Sequence, residues 1–505
     1  MTGAAANAGT TSTSGSTSGS TSRSTSGSAS GGDAWAGPAP FAAAYAQRAA
    51  VAVPPGLARL RRLLDLLGQP QRAFPSIVVA GSVGKSSTVA AISALLDAFG
   101  IRAGCLRSPG WLGSAQQVGL AGAAISPDVL GAAFDDIAPY LPLIEDDGPL
   151  SAVELLAAVA FAAFADAPVD VAVVESGWDG SVVLGDLADL LDAPVAAITP
   201  VAVTGPDGVA GVNPLDAVDA FGSAADAVDA AVLAGDTDAA EAELARIAAR
   251  VGSAIRADTL VVLAQQALPA AQALLRRAAG SGATVAREGM EFGVLGRRIA
   301  VGGQVITLKG LGGTYDELFL PLHGAHQAHD AAVALAAVEA FLGGGRSALD
   351  LDAVRAGLAQ VDVRGRLEVV RRSPTIVLDV AQDPLGAAAL AGAVEEAFGF
   401  DVLVGVVAVD GDEALAARIL AALEPVLAHV VVTSGATAAA LGVDDLAAVA
   451  TGVFGADRVE VAPRLDDAVD DAVRLAEEDA DLGGAGVLVT GSAPVVGRAR
   501  ALLRS

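Results

Sequence analysis

At 505 residues the chain is too long for one hydrophobic core, so ordinary domain size predicts two or three folded units, with two as the starting expectation. A formal net charge of −27 repels phosphate backbones and anionic bilayer surfaces, arguing against nucleic acid or membrane as a general partner. Hydrophobic residues make up 53% but aromatics only 4%, and the single cysteine, Cys105, excludes an intrachain disulfide, so an aliphatic-cored cytoplasmic protein is expected.

Residues 1–39 are rich in Ser, Thr and Gly and read as a disordered tail. From about Phe41, Val/Ile runs alternate with Ala/Leu stretches at helical spacing, the pattern of βα units on a parallel sheet. Strands are expected at Ser76 to Ala80, Val169 to Glu175, Pro194 to Thr199 and Leu260 to Leu263. Helices are expected at Lys85 to Phe99, Ala152 to Phe164 and Ala240 to Arg250. The runs around Val285, Arg298 to Val301 and Gln304 to Leu308 suggest a small antiparallel meander. A helix from His326 to Phe341 stops at Gly343-Gly344-Gly345, so a first domain of 40–345 and a second of 346–505 are expected. Strands at Arg366 to Val370, Thr375 to Leu378, Val402 to Val407, Val430 to Thr433, Val459 to Val461 and Gly486 to Val489 make the second domain doubly wound α/β.

The clearest site is Gly81-Ser82-Val83-Gly84-Lys85-Ser86-Ser87 between a strand and a helix. Backbone amides of such a turn and the helix N-terminus attract polyphosphate, while the lysine reaches the terminal phosphates. It is shorter than the full Walker pattern, with Val79 where the first glycine would stand. Only two lysines, Lys85 and Lys309, occur among 31 basic residues, which weighs against an ordinary surface turn. His323, His326 and His329 are spaced i, i+3, i+6, unlike the i, i+4 pair of helical zinc sites, and a metal reading there is weak.

The loop resembles the Gly-Thr-Asn-Gly-Lys-Gly-Ser loop of the folylpolyglutamate synthase and dihydrofolate synthase family, within the Mur ligase superfamily. Further segments follow in the same order: Leu63 to Pro70, Arg107-Ser108-Pro109, Val173 to Gly177, His326-Gln327, Arg364 to Val370, Leu378-Asp379 with Pro384, and Val489 to Ser492. The resemblance covers about residues 41–505. It implies a P-loop domain followed by a Rossmann-like domain, and an ATP- and Mg²⁺-dependent ligase that acts on small molecules as a monomer, adding L-glutamate to dihydropteroate or folate. Carried over by position, Gly81, Gly84, Lys85, Ser86 and Ser87 would cradle ATP, and Ser108 and Glu175 would hold magnesium. His326, Gln327, Asp330, Arg366 and Asp379 would line the nucleotide side, with Lys85 and Glu175 catalytic. Asp330 stands where the family has an asparagine. Glu154 matches a family Glu and otherwise reads as a solvated first-turn acid.

The chain also departs from the pattern. No histidine precedes His323, so the family's magnesium-binding histidine is missing, and the position of its carbamylated lysine falls near Val251. An acidic insertion occupies 205–233, and residues 179–186 lose the family's arginine. The Asp-Gly-Ala-His-Asn-Pro hallmark reads Asp379 to Pro384, and Asp-Lys-Asp reads Asp410-Gly411-Asp412. These losses of positive or metal-binding groups, each costing about 3 to 4 kcal/mol in barrier at such a site, leave a nucleotide-binding regulatory paralogue as the alternative.

Overall fold

The computed structural model describes residues 39–48, 51, 57–107, 117–144, 148–176, 184–202, 237–437, 439–480 and 484–504. Residues 1–38 of the expected tail, the insertion at 205–233, Ser108 and residues 179–183 lie outside them, while Ala39, expected in the tail, begins the helix Ala39–Gln47. All the described residues belong to one compact unit within 33–505. None of the described helices is long and apolar enough to cross a membrane.

The first lobe is built on eight strands: β1 (Ser76–Ala80), β2 (Ala103–Leu106), β3 (Val118–Leu120), β4 (Ala123–Ala124), β5 (Val171–Glu175), β6 (Val195–Ile198), β7 (Leu260–Leu263) and β8 (Thr284–Arg287). Their order is β4-β3-β2-β5-β1-β6-β7-β8, parallel from β2 to β8, with β3 and β4 antiparallel. β1 and β5 are buried at every residue, as continuous aliphatic runs must be when helices cover both faces. The run at Val285 is therefore the last parallel strand and not part of the meander. The meander is instead β9 (Gly293–Ala300), β10 (Gly303–Lys309) and β11 (Thr314–Leu320), the last of which its alternation of polar residues concealed.

Helix Ala152–Asp166 starts with a capping box: Ser151 Oγ accepts from the Glu154 amide at 3.2 Å, and the Ser151 amide donates to Glu154 Oε2 at 2.9 Å. Glu154 is fully buried, with Arg59 at 3.6 Å, so it is a structural cap and not a solvated acid. Helices Lys85–Ala98 and Ala325–Gly343 lie on the other face of the sheet, where a row of alanines from the longer helix joins the core. Tyr315 is buried at that helix's far end, where its hydroxyl donates to Glu339 Oε1 at 2.6 Å and accepts from the Leu349 amide at 2.7 Å.

The chain does not leave this lobe at the glycine run. Helix Leu351–Ala359 packs on helix Lys85–Ala98, and Val354, Leu358 and Val361 belong to the first-lobe core, so the lobe extends past residue 345. The second lobe follows with β12 (Glu368–Arg372), β13 (Thr375–Leu378), β14 (Val402–Ala408), β15 (His429–Val432), β16 (Val459–Val461) and β17 (Ala485–Gly491). Their order is β12-β13-β17-β14-β15-β16, with only β12 antiparallel. Two mixed α/β lobes of this kind put the carboxyl ends of their strands where open sheets bind ligands.

Candidate functional site

The segment leaving β1 turns through Gly81 and Gly84 before helix Lys85–Ala98 begins. Gly84 has φ 78°, and a Cβ there would meet Asp330 Oδ1 at 2.3 Å, so both backbone and space demand glycine. Gly81 serves the fold more directly, since a Cβ on it would meet Thr199 Oγ1 at 2.1 Å. The amides of Ser82 and Val83 donate to the Pro200 carbonyl at 3.0 and 3.3 Å, which anchors the loop to the end of β6. No side chain caps the helix N-terminus, so its first-turn amides stay available to an anion. Lys85 Nζ donates to the Ser82 carbonyl at 2.9 Å, holding the ammonium at the loop.

A cavity of about 490 Å³ lies between this loop and the second lobe. Gly84, Lys85, Ser86, Ser87 and Glu175 line one side, His326, Gln327 and Asp330 another, and Arg366 and Asp379 close it from the second lobe. Of the expected site residues, Gly81 is not on its wall and Ser108 is outside the described residues. Ser86 Oγ donates to Glu175 Oε2 at 3.0 Å, and Glu175 is buried at the end of β5. A hydroxyl and a carboxylate beside a phosphate loop are the hard oxygen donors that suit Mg²⁺, which commonly completes its shell with phosphates and water.

The electrostatics of the cavity are unusual. Burial, reinforced by the Glu288 charge and only partly offset by Arg366, pushes the Asp330 carboxyl well above the usual range. Asp379 accepts from the Leu367 amide at 2.8 Å, yet burial outweighs this and Arg366, raising it to about 6. His326 is held down at about 4, first by burial and then by Arg366, His329 and Arg297, so its ring is neutral near pH 7. Arg366 itself donates from Nη1 to the Val380 carbonyl at 2.5 Å, which fixes its direction.

The three clustered histidines diverge: His323 faces the Phe398 ring at 5.1 Å, His329 Nδ1 meets Glu288 Oε1 at 2.5 Å, and His326 lines the cavity. Among the described residues no group of three metal-ligating side chains forms. Glu288 is a cavity residue that sequence reading missed. Its signal was position, because it follows β8 at the same crest of strand ends as Glu175, but reading Val285 into the meander hid that.

The departures from the family pattern find other uses. Asp383 Oδ1 accepts from the Gly386 amide at 2.8 Å and caps helix Pro384–Ala397. Asp412 caps helix Glu413–Leu423 in the same way, and Asp410 accepts from Thr437 and Ser492, each at 2.8 Å. Val251 ends helix Thr237–Val251 and packs against the first-lobe core.

Comparison with known proteins adds to this geometry. Residues 365–493 match the family described as Mur ligase, glutamate ligase domain. Over 474 residues the chain is 43% identical to the dihydrofolate synthase/folylpolyglutamate synthase of Mycobacterium tuberculosis (strain ATCC 25618 / H37Rv), covering 89% of this chain and 90% of that relative. The structure is similar to Mycobacterium tuberculosis folylpolyglutamate synthase complexed with ADP, with TM-score 0.79 and 40% identity over 91% of this chain and 97% of that one. Folylpolyglutamate synthetase from Lactobacillus casei matches with TM-score 0.70 over 92% of this chain and all of the other, a likeness of fold alone at 21% identity.

Proposed function

The chain belongs to the dihydrofolate synthase/folylpolyglutamate synthase family, and from that premise we propose that it is an ATP-dependent ligase joining L-glutamate to dihydropteroate or folate. The observation that carries the reading is the glycine turn with Lys85 and the Ser86–Glu175 pair at one end of an interlobe cavity. ATP lies in that cavity with its phosphates on the amides that begin helix Lys85–Ala98. Lys85 moves from the Ser82 carbonyl to the terminal phosphates, a short transfer for a flexible stem. Neutral His326 and Gln327 flank the nucleotide, and Arg366 brings positive charge from the second lobe. Burial favours the uncharged form of Asp330, the form that can donate one hydrogen bond to a phosphate where a carboxylate would repel.

The acceptor carboxylate then attacks the γ-phosphorus; the new O–P bond forms as the bridge to ADP breaks, giving an acyl phosphate. The glutamate amine attacks the acyl carbon, loses a proton and expels phosphate, leaving an amide. Ser86 and Glu175 would hold the magnesium ion, with Ser108 a further proposed ligand, and the ion would screen the charge of the phosphates. The chain's own part is to orient the reactants and neutralise charge, the main work of phosphoryl transfer. We take it to act on small molecules as a cytoplasmic monomer.

The test is ADP release by purified protein with ATP, Mg²⁺, dihydropteroate or tetrahydrofolate, and glutamate. Release should require all the substrates and should vanish in Lys85→Ala. ATP binding without any turnover at saturating ligand would reject the ligase reading in favour of a nucleotide-binding regulatory protein.

A further inference from the structure

A second and larger cavity, about 960 Å³, lies on the other side of Ser86 from the first. Ser86, Arg366, Val380 and Gln382 line both, so the two meet at the Ser86–Glu175 end of the phosphate loop. Arg107 stands in this second cavity. β2 runs parallel to β5 with Leu106 opposite Val174, so the next residue, Arg107, follows β2 beside Glu175 at the crest of strand ends. The Arg107 amide donates to the Gln117 carbonyl at 2.8 Å, which fixes its backbone at the start of β3's hairpin.

Arg107 is half-buried, and its Nε is shielded from solvent without an acceptor. Three carboxylates share the cavity, but Asp362 pairs with Arg364 at 3.7 Å, Asp410 is taken by Thr437 and Ser492, and Asp97 forms no ion pair with Arg107. A chain with 58 acidic and 31 basic residues has no shortage of partners for a cation. An arginine left unpaired there keeps its planar fork of donors for a carboxylate or phosphate from outside.

We propose that Arg107 binds the carboxylate of the pteroate-type acceptor in this second cavity, holding it beside the Ser86–Glu175 pair. The proposal rests on the ligase reading above and adds the residue that positions the attacking group. A carboxylate approaching a triphosphate is repelled by it, and a guanidinium on the side away from the nucleotide counters that repulsion while leaving the attacking oxygen free. Folded along the Ala103 and Cys105 walls merely for packing, the same side chain would have no preference for a charged ligand.

The experiment titrates full-length wild type, Arg107→Ala and Arg107→Lys with dihydropteroate and with its methyl ester, by calorimetry, after circular dichroism establishes equal folding. Arg107→Ala should weaken the acid about tenfold or more while leaving the ester within about twofold, and lysine should restore part of the loss. In turnover, KM for dihydropteroate should rise while KM for ATP stays put. Equal weakening of acid and ester, or no weakening, overturns the proposal while wild-type turnover keeps the ligase reading. Should Arg107→Ala misfold, Arg107→Gln supplies the same comparison. Wild type that neither binds dihydropteroate nor releases ADP with it overturns the reading and the proposal together.

Discussion

Replacing Asp379 by asparagine should expose a proton linkage that the wild-type cleft conceals. In the folded state Asp379 rises to about 6 from its usual 3.8, so its contribution is present at low pH and lost as pH rises through 6. His326 falls to about 4 from 6.5, so its contribution is present above 6.5 and lost as pH falls through 4. Each displacement spans roughly two pH units, about 3 kcal/mol at 1.4 kcal/mol per unit, and the two act in opposite directions over nearly the same window. Asp379→Asn leaves the histidine unopposed, so its stability relative to wild type should climb by about 3 kcal/mol between pH 4 and pH 7. His326→Gln should show the reverse slope. Urea denaturation of ligand-free protein, followed by far-ultraviolet circular dichroism across that range, measures both differences. A wild-type-minus-variant difference that stays flat within about 1 kcal/mol would refute the assignment of buried charge to these two groups.

Gly84→Ala should weaken nucleotide binding and cost about 1 to 2 kcal/mol of stability, because the new methyl meets Asp330 and the backbone is left-handed; calorimetry and melting curves check both. Burial favours the uncharged form of Asp330, and its ionisation sets a negative charge against the phosphates, so wild-type ATP affinity should fall as pH is raised. Asp330→Asn should remove that fall and bind ATP about tenfold more tightly at the alkaline end, a repulsion of roughly 1.4 kcal/mol being relieved. Tyr315→Phe should lower stability by about 1 to 3 kcal/mol, since it leaves the Leu349 amide without its acceptor and removes one of the donors to the buried Glu339 carboxylate.

Much of the architecture was legible because buried parallel strands are continuous aliphatic runs. The limits of β1, β7, β13 and β16 coincide with the runs read from sequence. Where one residue pattern serves two environments, the reading slipped: Thr284–Arg287 is short and polar at its ends, so an edge strand of the parallel sheet passed for meander. The glycine run at 343–345 looked like a linker, but glycine stops a helix without moving the chain to another domain. Burial is likewise invisible in sequence, which made Glu154 look solvated when its cap lies inside the lobe. Of the site, the loop itself was legible from spacing. The apposition of Asp330 to Gly84, the Glu288–His329 pair and the unpaired Arg107 arise only when strands distant in sequence end side by side.

Helix Ala325–Gly343, more than half of whose buried residues are alanines, packs against helix Lys85–Ala98, and residues of both line the nucleotide pocket. The spacing between the two helices therefore depends on many small side chains of the longer one. Descendants of this chain can rebuild their surface loops with little consequence, whereas one alanine enlarged along the seam wedges Asp330 away from the glycine turn. Divergence in this lineage should accordingly spare an interior stretch that makes no contact with substrate.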